Sequence, residues 1–346
     1  MTKCVRMALA AVLFLAAAAP TAFAADPGRA SGRKLRVGTM AIAPGLPVHL
    51  AELNGYFKDA GLNIEIIIFP TGAPINEAMA ADELDIAVSG MASVYALATG
   101  RYTYIGDGCI TLEGQAIYAR KDSPIAKTKE AGKSFLGDTA TVRGASILGP
   151  LATSVHFMAI KYAESFGLTD GDFKMVSMDY PQAYQAFITG QGDLAATITP
   201  YSSQLENAGY VKVCDLADVM GAPLVDAVYV QKNLMKTMRP DMVAFLKCYY
   251  RACEELIGNP DMRKSVAKKW YASEGRNYTD ADLDVELQRQ TYPTLGTLMS
   301  KRYPFGFTMT NIVGFFVDQG MIPEENRDNV AASLDSSIVE GLKAGK

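Results

Sequence analysis

Residues 80–97 read AADELDIAVSGMASVYAL and contain a short strand pattern between two helical patterns. An acidic turn leads into the apolar run Leu84–Val88, and only small residues, hydroxyls and one methionine separate this run from the next helical pattern. A tight turn would need small residues here, and so would a surface where backbone N–H groups approach a ligand closely. The stretch therefore indicates a strand-to-helix turn with either a structural or a ligand-binding role.

The same alternation of strand and helix continues on both sides of this stretch. KLRVGTM and NIEIIIF are typical of strands, and LPVHLAELNGYFKDAG between them is typical of a helix that ends at Gly61. APINEAMAAD is predicted to be the next helix, opened by Pro74. Strands separated by helices indicate βαβ units and a parallel sheet, so the predicted fold class is α/β.

A long helix is predicted in RPDMVAFLKCYYRACEELIGNP. Pro240 opens it, and Gly258-Asn259-Pro260 ends it. Its predicted apolar stripe consists of Val243, Leu246, Tyr250, Cys253 and Ile257.

The sequence contains a weak internal repeat. AMAADELDIAV (78–88) aligns with AFITGQGDLAA (186–196), so that Asp85 matches Asp193 at an offset of 108 positions (85 to 193). Upstream, the helix that contains His49 aligns with TSVHFMAIKYAESFGL, which contains His156. The order of elements is the same in both copies, which predicts two lobes of similar design.

Several strand-to-helix turns of both copies contain small residues and hydroxyls. In parallel α/β sheets, ligands bind at the carboxyl ends of strands, where the following helices present unpaired N–H groups and a partial positive charge. The turns thus predict a cradle for a small anionic group between two facing lobes. The candidate ligand-binding residues are Met40, Thr71, Gly72, Ala73, Ser89, Gly90, Met91, Leu151, Ala152, Thr153, Ser154, His156, Thr199 and Tyr201. For His156, as for His49, helix packing is the alternative role.

The N-terminus predicts export. Lys3 and Arg6 precede an apolar run, and the small-residue site Ala22-Phe23-Ala24 follows it, as in a secretory signal peptide that covers residues 1–24. Its removal would change the formal net charge from −4 to −6. A mildly acidic surface does not suit nucleic acid binding. Four cysteines remain in this long chain, which is typical of buried thiols rather than of a disulfide framework.

No motif in the sequence indicates catalysis or a cofactor. The chain has only two histidines and no HExxH pattern of a zinc protease. GKS at 132–134 lacks the earlier glycine of a phosphate-binding loop, and no serine or cysteine occupies a nucleophile elbow. We expect a binding protein without a cofactor or metal, and an exported enzyme is the weaker alternative.

The chain resembles the nitrate/sulfonate/taurine substrate-binding proteins of ABC importers. The resemblance lies in LRVG, in LAELNGYFKDAGLNIEI and in FPTGAPINEAMAADELDIAVSG. It continues in ITPYSSQLENAG, where Ile198, Thr199, Pro200 and Tyr201 replace the Trp-Asp-Pro-Tyr that is common in that family. This difference removes a large aromatic side chain and a carboxylate from the inferred cleft. Asp226 could supply a carboxylate instead.

The resemblance implies a type II periplasmic-binding-protein fold with two Rossmann-like lobes and a cleft between them. The first lobe would contain residues 35–119 and 226–346, and the second residues 120–225. GQAIYAR and VDAVYV would be the crossover strands, which adds Gln115 and Asp226 to the candidate binding residues. The implied protein is a periplasmic monomer that delivers a small solute to an ABC permease and ATPase in the inner membrane.

The identity of the solute stays open between two chemical classes. The absence of Arg and Lys from the small-residue turns favours a monoanion such as an alkanesulfonate, a taurine-like compound or nitrate over a dianion. The alternative is a neutral or aromatic solute, such as a pyrimidine, a flavin or an aromatic carboxylate, held by stacking and hydrogen bonds.

Overall fold

The computed structural model describes residues 31–298, 300 and 303–343. The predicted signal peptide over residues 1–24 lies outside the described residues. None of the described helices combines the length and the apolar character that a membrane span requires.

The strands form two separate sheets. The first is six-stranded, in the order β11-β4-β10-β3-β1-β2, and the second is five-stranded, in the order β7-β6-β8-β5-β9. The strands are β1 Lys34–Thr39, β2 Asn63–Ile68, β3 Ile86–Ser89, β4 Tyr102–Thr111, β5 Ala116–Ala119, β6 Ser146–Gly149, β7 Lys174–Ser177, β8 Leu194–Thr197, β9 Val211–Asp215, β10 Leu224–Gln231 and β11 Gln290–Thr291.

Helices connect the strands and make up most of the described residues after β10. They are α1 Leu46–Leu53, α2 Tyr56–Asp59, α3 Gly72–Ala80, α4 Ser93–Ala98, α5 Pro124–Lys127, α6 Thr139–Val142, α7 Ser154–Glu164, α8 Tyr180–Ile188, α9 Tyr201–Asn207, α10 Leu216–Met220, α11 Leu234–Thr237, α12 Arg239–Gly258, α13 Pro260–Ser273, α14 Asp280–Arg289, α15 Leu295–Leu298, α16 Phe307–Asp318, α17 Arg327–Ala332 and α18 Ser337–Lys343.

The internal repeat is confirmed as a repeated parallel unit. β1 pairs in parallel with β2 and β3, and β6 pairs in parallel with β7 and β8. The two aligned aspartates make the same contact in both units. Oδ2 of Asp85 accepts the backbone N–H of Arg36 at 2.9 Å, and Oδ2 of Asp193 accepts that of Ser146 at 2.8 Å. Each carboxylate thus joins the start of the third strand to the first strand.

The chain changes sheet twice, through short connections. Residues 112–115 lead from β4 of the first sheet to β5 of the second, and residues 216–223, which include α10, lead from β9 back to β10. The first strand after each connection is antiparallel to its neighbour in the new sheet: β5 to β8, and β10 to β3. The predicted crossover strands are therefore interior strands that directly follow the connections. The predicted division into lobes at residues 120 and 226 stays a prediction.

The predicted helix over residues 239–258 is confirmed as α12, but its predicted apolar stripe is partly wrong. Val243 is half-buried and Ile257 is 37% exposed. The buried face instead includes Met242, Phe245, Leu246, Tyr249, Tyr250, Cys253 and Leu256. It is wider than one stripe because α1, α2, α11, α13 and α18 all pack on α12. Cys109, Cys214, Cys248 and Cys253 are buried free thiols, as the sequence predicts.

Candidate functional site

A cavity of about 60 Å³ lies between the two sheets, where strand-to-helix turns of both repeats meet. This volume accommodates about four to six water molecules, and hence a small solute. We call it the cleft cavity. It is lined by Met40, Ile42, Pro44, Thr71, Gly72, Gly90, Met91, Ala92, Thr111, Gln115, Thr153, Ser154, Tyr180, Ile198, Leu224, Asp226 and Gln290.

The turn before α3 forms one wall of the cleft cavity. Thr71 is the extended N-cap of α3, and its side chain does not cap the helix, so the first N–H groups of α3 have no side-chain partner at the cap. Gly72 allows the close packing of this turn on β3. A Cβ atom at residue 72 would lie 2.7 Å from Oγ of Ser89 and 2.8 Å from Cβ of Ala92. The glycine therefore brings the helix N-terminus to the cavity.

The turn before α7 forms the facing wall. Oγ1 of Thr153 donates to the carbonyl of Pro150 at 2.9 Å and accepts the N–H of His156 at 3.4 Å. Nδ1 of His156 accepts the N–H of Ala152, whose φ of 54° lies in the left-handed region. These bonds fix the turn, and Ser154 at the start of α7 lines the cavity. His156 thus positions the turn from behind, and it is not among the lining residues.

Three side chains of the lining hold buried acceptor atoms that have no partner among the described residues. Oδ2 of Asp226, Oε1 of Gln115 and Oε1 of Gln290 are buried, and none of them has a hydrogen-bond partner among the described residues. Asp226 is only 2% exposed. Burial raises the pKa of Asp226 from 3.8 to about 7. An acidic group that is buried alone is costly to ionise, so these three acceptors favour a solute group that donates hydrogen bonds.

Basic side chains are absent from the lining, which contains neither Arg nor Lys. Arg276 lies beside the cavity, where its Nη2 donates to the carbonyl of Pro70 at 3.1 Å. Burial raises the pKa of Tyr180 to about 12, and the nearby guanidinium of Arg276 acts in the opposite direction. Within the described part of the chain, no cluster of three or more His, Cys, Asp or Glu side chains could hold a metal ion.

A family model described as the NMT1-like family matches residues 28–270. The chain belongs to the NMT1-like family. The matched region contains both repeats, both connections between the sheets and most of the residues that line the cleft cavity. The resemblance found in the sequence is thereby confirmed at the level of the family.

Relatives of this NMT1-like protein cover nearly all of it. A putative ABC transporter periplasmic binding protein of Brachyspira hyodysenteriae is 27% identical over 336 residues, which are 96% of each chain. The solved nitrate-binding protein NrtA of Synechocystis PCC 6803 has a TM-score of 0.70 at 13% identity, over 92% of this chain and 90% of that one. The aliphatic sulphonate-binding protein SsuA of Escherichia coli has a TM-score of 0.68 at 15% identity, over 89% and 99%. The predicted periplasmic-binding-protein fold is confirmed.

The cleft cavity of this NMT1-like protein brings together part of the predicted site. Among the predicted residues, those that line it are Met40, Thr71, Gly72, Gly90, Met91, Gln115, Thr153, Ser154 and Asp226. The predicted residues outside its lining are Ala73, Ser89, Leu151, Ala152, His156, Thr199 and Tyr201.

Four of the predicted residues outside the lining are buried, exposed or in contact with residues elsewhere in the protein. Ser89 is fully buried beneath Gly72, and Leu151 is 43% exposed. The carbonyl of Thr199 accepts the hydroxyl of Tyr278 at 3.2 Å. The ring of Tyr201 packs against that of Tyr184, with 5.4 Å between their centroids.

A second set of lining residues is absent from the predicted binding residues, namely Ile42, Pro44, Ala92, Thr111, Tyr180, Ile198, Leu224 and Gln290. Tyr180 had a usable signal, because it opens α8 as Gly72 opens α3, at the same offset of 108 positions as the aspartates. Gln290 had none, since it reaches the cavity from a short strand far along the chain.

Proposed function

We propose that this protein is the exported solute-binding receptor of an ABC importer, and that two lobes close around a small organic solute in the cleft cavity. One lobe would contain residues 35–119 and 226–346, and the other residues 120–225. One observation carries the proposal. The N-termini of α3 and α7, which follow strands of different sheets, line the same cavity.

The solute is proposed to carry an acidic group that lies against these two helix N-termini. Unpaired N–H groups and the partial positive charge of a helix N-terminus favour an anion. Without Arg or Lys in the lining, the site suits an acidic group with one dispersed negative charge, such as a sulfonate or a carboxylate, better than a dianion. The names of the relatives point to the same chemistry, since one of them binds nitrate and another binds aliphatic sulphonates.

A neutral or aromatic solute is the second candidate, and Tyr180 favours it. This tyrosine lines the cavity and is 7% exposed, so its ring offers a stacking surface. Catalysis is the weaker alternative, and we propose a receptor rather than an enzyme.

The partners of the receptor follow from the proposed transport role. We propose that the monomer works in the periplasm, after cleavage near Ala24, and docks on a permease and ATPase in the inner membrane. The name of the Brachyspira hyodysenteriae relative supports this placement.

A titration tests the receptor against the enzyme. The mature chain, residues 25–346, is titrated with taurine, ethanesulfonate, nitrate, benzoate and cytosine, and each solute is then recovered and identified by NMR. We expect one-to-one binding, recovery of the unchanged solute and a smaller radius of gyration in X-ray scattering. Catalytic turnover of a solute present in excess, or a radius that does not change on binding, would contradict the proposal.

A further inference from the structure

Asp226 differs from the other buried carboxylates of the described chain. Asp85 accepts bonds from Arg33 and Arg36, and Asp241 accepts the hydroxyl of Ser31. Asp282 accepts the hydroxyl of Thr279 at 2.7 Å. Glu286 is likewise bonded to the hydroxyl of Tyr271 at 3.1 Å. Oδ2 of Asp226 has no partner among the described residues, although the residue is only 2% exposed and lines the cleft cavity.

Two amide side chains add to this acceptor surface. Oε1 of Gln115, the last residue of the first connection between the sheets, and Oε1 of Gln290 in β11 are also buried and without a partner among the described residues. Both line the same cavity as Asp226 in β10. A glutamine amide can turn to offer either a donor or an acceptor, whereas an ionised carboxylate only accepts. Asp226 therefore sets the chemistry of this surface.

We infer that Asp226, with Gln115 and Gln290, binds a nitrogen group of the solute that donates hydrogen bonds. The inference rests on the proposed function, and it implies a solute with both an acidic group and a basic nitrogen. Its acidic group would lie at the N-termini of α3 and α7, and its ammonium or amidine-like nitrogen at Asp226. A hydrogen bond that involves an ionised group is stronger than a neutral one, so this contact would dominate selectivity.

The same geometry selects against a simple anion. Nitrate or an alkanesulfonate without nitrogen would place a negative charge beside a carboxylate in a cavity whose lining contains no basic side chain. A like charge at short range in a desolvated site is repulsive unless the carboxylate takes up a proton. The inferred ligand class is thus small amino acids, aminosulfonates and related zwitterions.

Paired probes test the inference. Taurine is compared with ethanesulfonate, β-alanine with propionate, and glycine with acetate, so that each pair differs mainly in the ammonium group. Calorimetry is performed on the wild type, on Asp226→Asn and on Asp179→Asn. Asp179 provides the matched control because it is an exposed carboxylate next to the lining residue Tyr180.

We expect an ammonium-bearing member of at least one pair to bind the wild type more tightly than its partner. Asp226→Asn should weaken that binding by about 10- to 100-fold, as for the loss of a charged hydrogen bond. Asp179→Asn should leave the affinity unchanged. Circular dichroism verifies the fold of both variants, and the comparison within each pair on the wild type does not depend on either variant.

Two outcomes would overturn the inference. One is that no ammonium-bearing probe binds better than its partner. The other is that Asp226→Asn, correctly folded, retains the preference. In either case, tight binding of an amine-free probe with lobe closure would leave the receptor proposal standing, so the two failures are distinguishable.

Discussion

The buried carboxyl group of Asp226 makes the free energy of unfolding depend on pH. Burial raises its pKa to about 7, so the folded state keeps a proton that the unfolded state releases near pH 4. The carboxyl group therefore opposes folding increasingly as the pH rises from about 4 to about 7, and its effect is constant at higher pH. The titratable side chains whose own pKa values respond to Asp226 are Cys109 of β4 and Tyr180 of α8.

We expect Asp226→Asn to raise the free energy of unfolding above pH 7 by up to about 4 kcal/mol, and to change it little at pH 4. Urea unfolding of both proteins from pH 4 to pH 8 measures the difference. Burial also raises the pKa of Glu286 to about 7, but this group is present in both proteins and cancels in the comparison. A difference that does not vary with pH would contradict the raised pKa of Asp226 in the folded state.

At the residue scale, sequence reasoning found what local turn chemistry determines. Gly72 and Gly90 were found because a small residue between a strand and a helix is a local pattern. Ser89 follows the same pattern, yet it points beneath Gly72, since the side chains of a strand alternate between its two faces. Gln290 and Leu224 reach the cavity only through the path of the whole chain, which no local pattern encodes.

Both repeated units contain the same aspartate contact, but the aspartate of the first unit is more deeply buried than that of the second. Asp85 is 3% exposed and accepts bonds from Arg36 N and Nε, at 2.9 and 3.0 Å, and from Arg33 at 2.9 Å. Asp193 is less buried and accepts bonds from the backbone and hydroxyl of Ser146, at 2.8 and 2.6 Å. The first unit therefore depends more strongly on its carboxylate than the second.

We predict that Asp85→Ala lowers the free energy of unfolding by about 2–4 kcal/mol, because it removes the acceptor of the Arg36 N–H and of the charge-assisted bonds from the Arg33 and Arg36 side chains. Asp193→Ala should cost about 1–3 kcal/mol, as for charge-assisted bonds in a more exposed place. Urea unfolding measures both variants. Equal losses, or a larger loss in Asp193→Ala, would contradict the conclusion that the first unit depends more strongly on its carboxylate.

At the scale of elements, periodicity predicted the ends of α12 better than its buried face. Pro240 and the Gly-Asn-Pro sequence are local signals, and the helix ends where they predict. The buried face depends on which elements surround the helix. Five other helices pack on α12, so Met242 and Phe245 are buried beside the predicted stripe while Ile257 remains exposed.

Side-chain contacts also join residues that lie before and after the second connection between the sheets. Nη2 of Arg289 in α14 lies 3.1 Å from Oε2 of Glu206 in α9. The ring of Phe315 in α16 meets that of Phe157 in α7 edge-on, with 4.7 Å between their centroids. α16 also packs on α4 and β10 of the first sheet. If the lobes close as proposed, these contacts belong to the closed form.

We therefore expect Phe315→Ala to weaken solute binding although Phe315 is absent from the cavity lining. An aromatic pair contributes about 0.5–1.5 kcal/mol beyond its buried area, which corresponds to about a 2- to 10-fold loss of affinity. Phe307→Ala is the control, since Phe307 is 42% exposed and lies in the same helix. Calorimetry on both variants gives the affinities. An unchanged affinity in Phe315→Ala would show that the contact between Phe315 and Phe157 does not stabilise the closed form.

The periplasmic-binding-protein fold could be predicted from the repeat and from the resemblance, but the packing of the helices after α12 could not. Beyond α12, few local patterns relate a helix to the cleft. Yet this region brings Gln290 into the cavity lining, places Arg276 against the carbonyl of Pro70 and extends the hydroxyl of Tyr278 to Thr199. Such contacts between distant segments depend on how the helices pack, which the periodicity of a single helix does not specify.

Solute binding in the cleft cavity is the central claim, and the melting temperature of the mature chain tests it most directly. The wild type and Gly90→Val are heated with each probe of the paired series, nitrate, benzoate and cytosine. Gly90 lines the cavity, and a Cβ atom there would lie 3.3 Å from Oδ1 of Asp226, so valine crowds this carboxylate and occupies part of the cavity. Circular dichroism verifies the fold of Gly90→Val. A probe at 100 times its dissociation constant should stabilise the wild type by about 2.7 kcal/mol and leave Gly90→Val unchanged. Equal stabilisation of both proteins, or stabilisation of neither by any probe, would contradict the account.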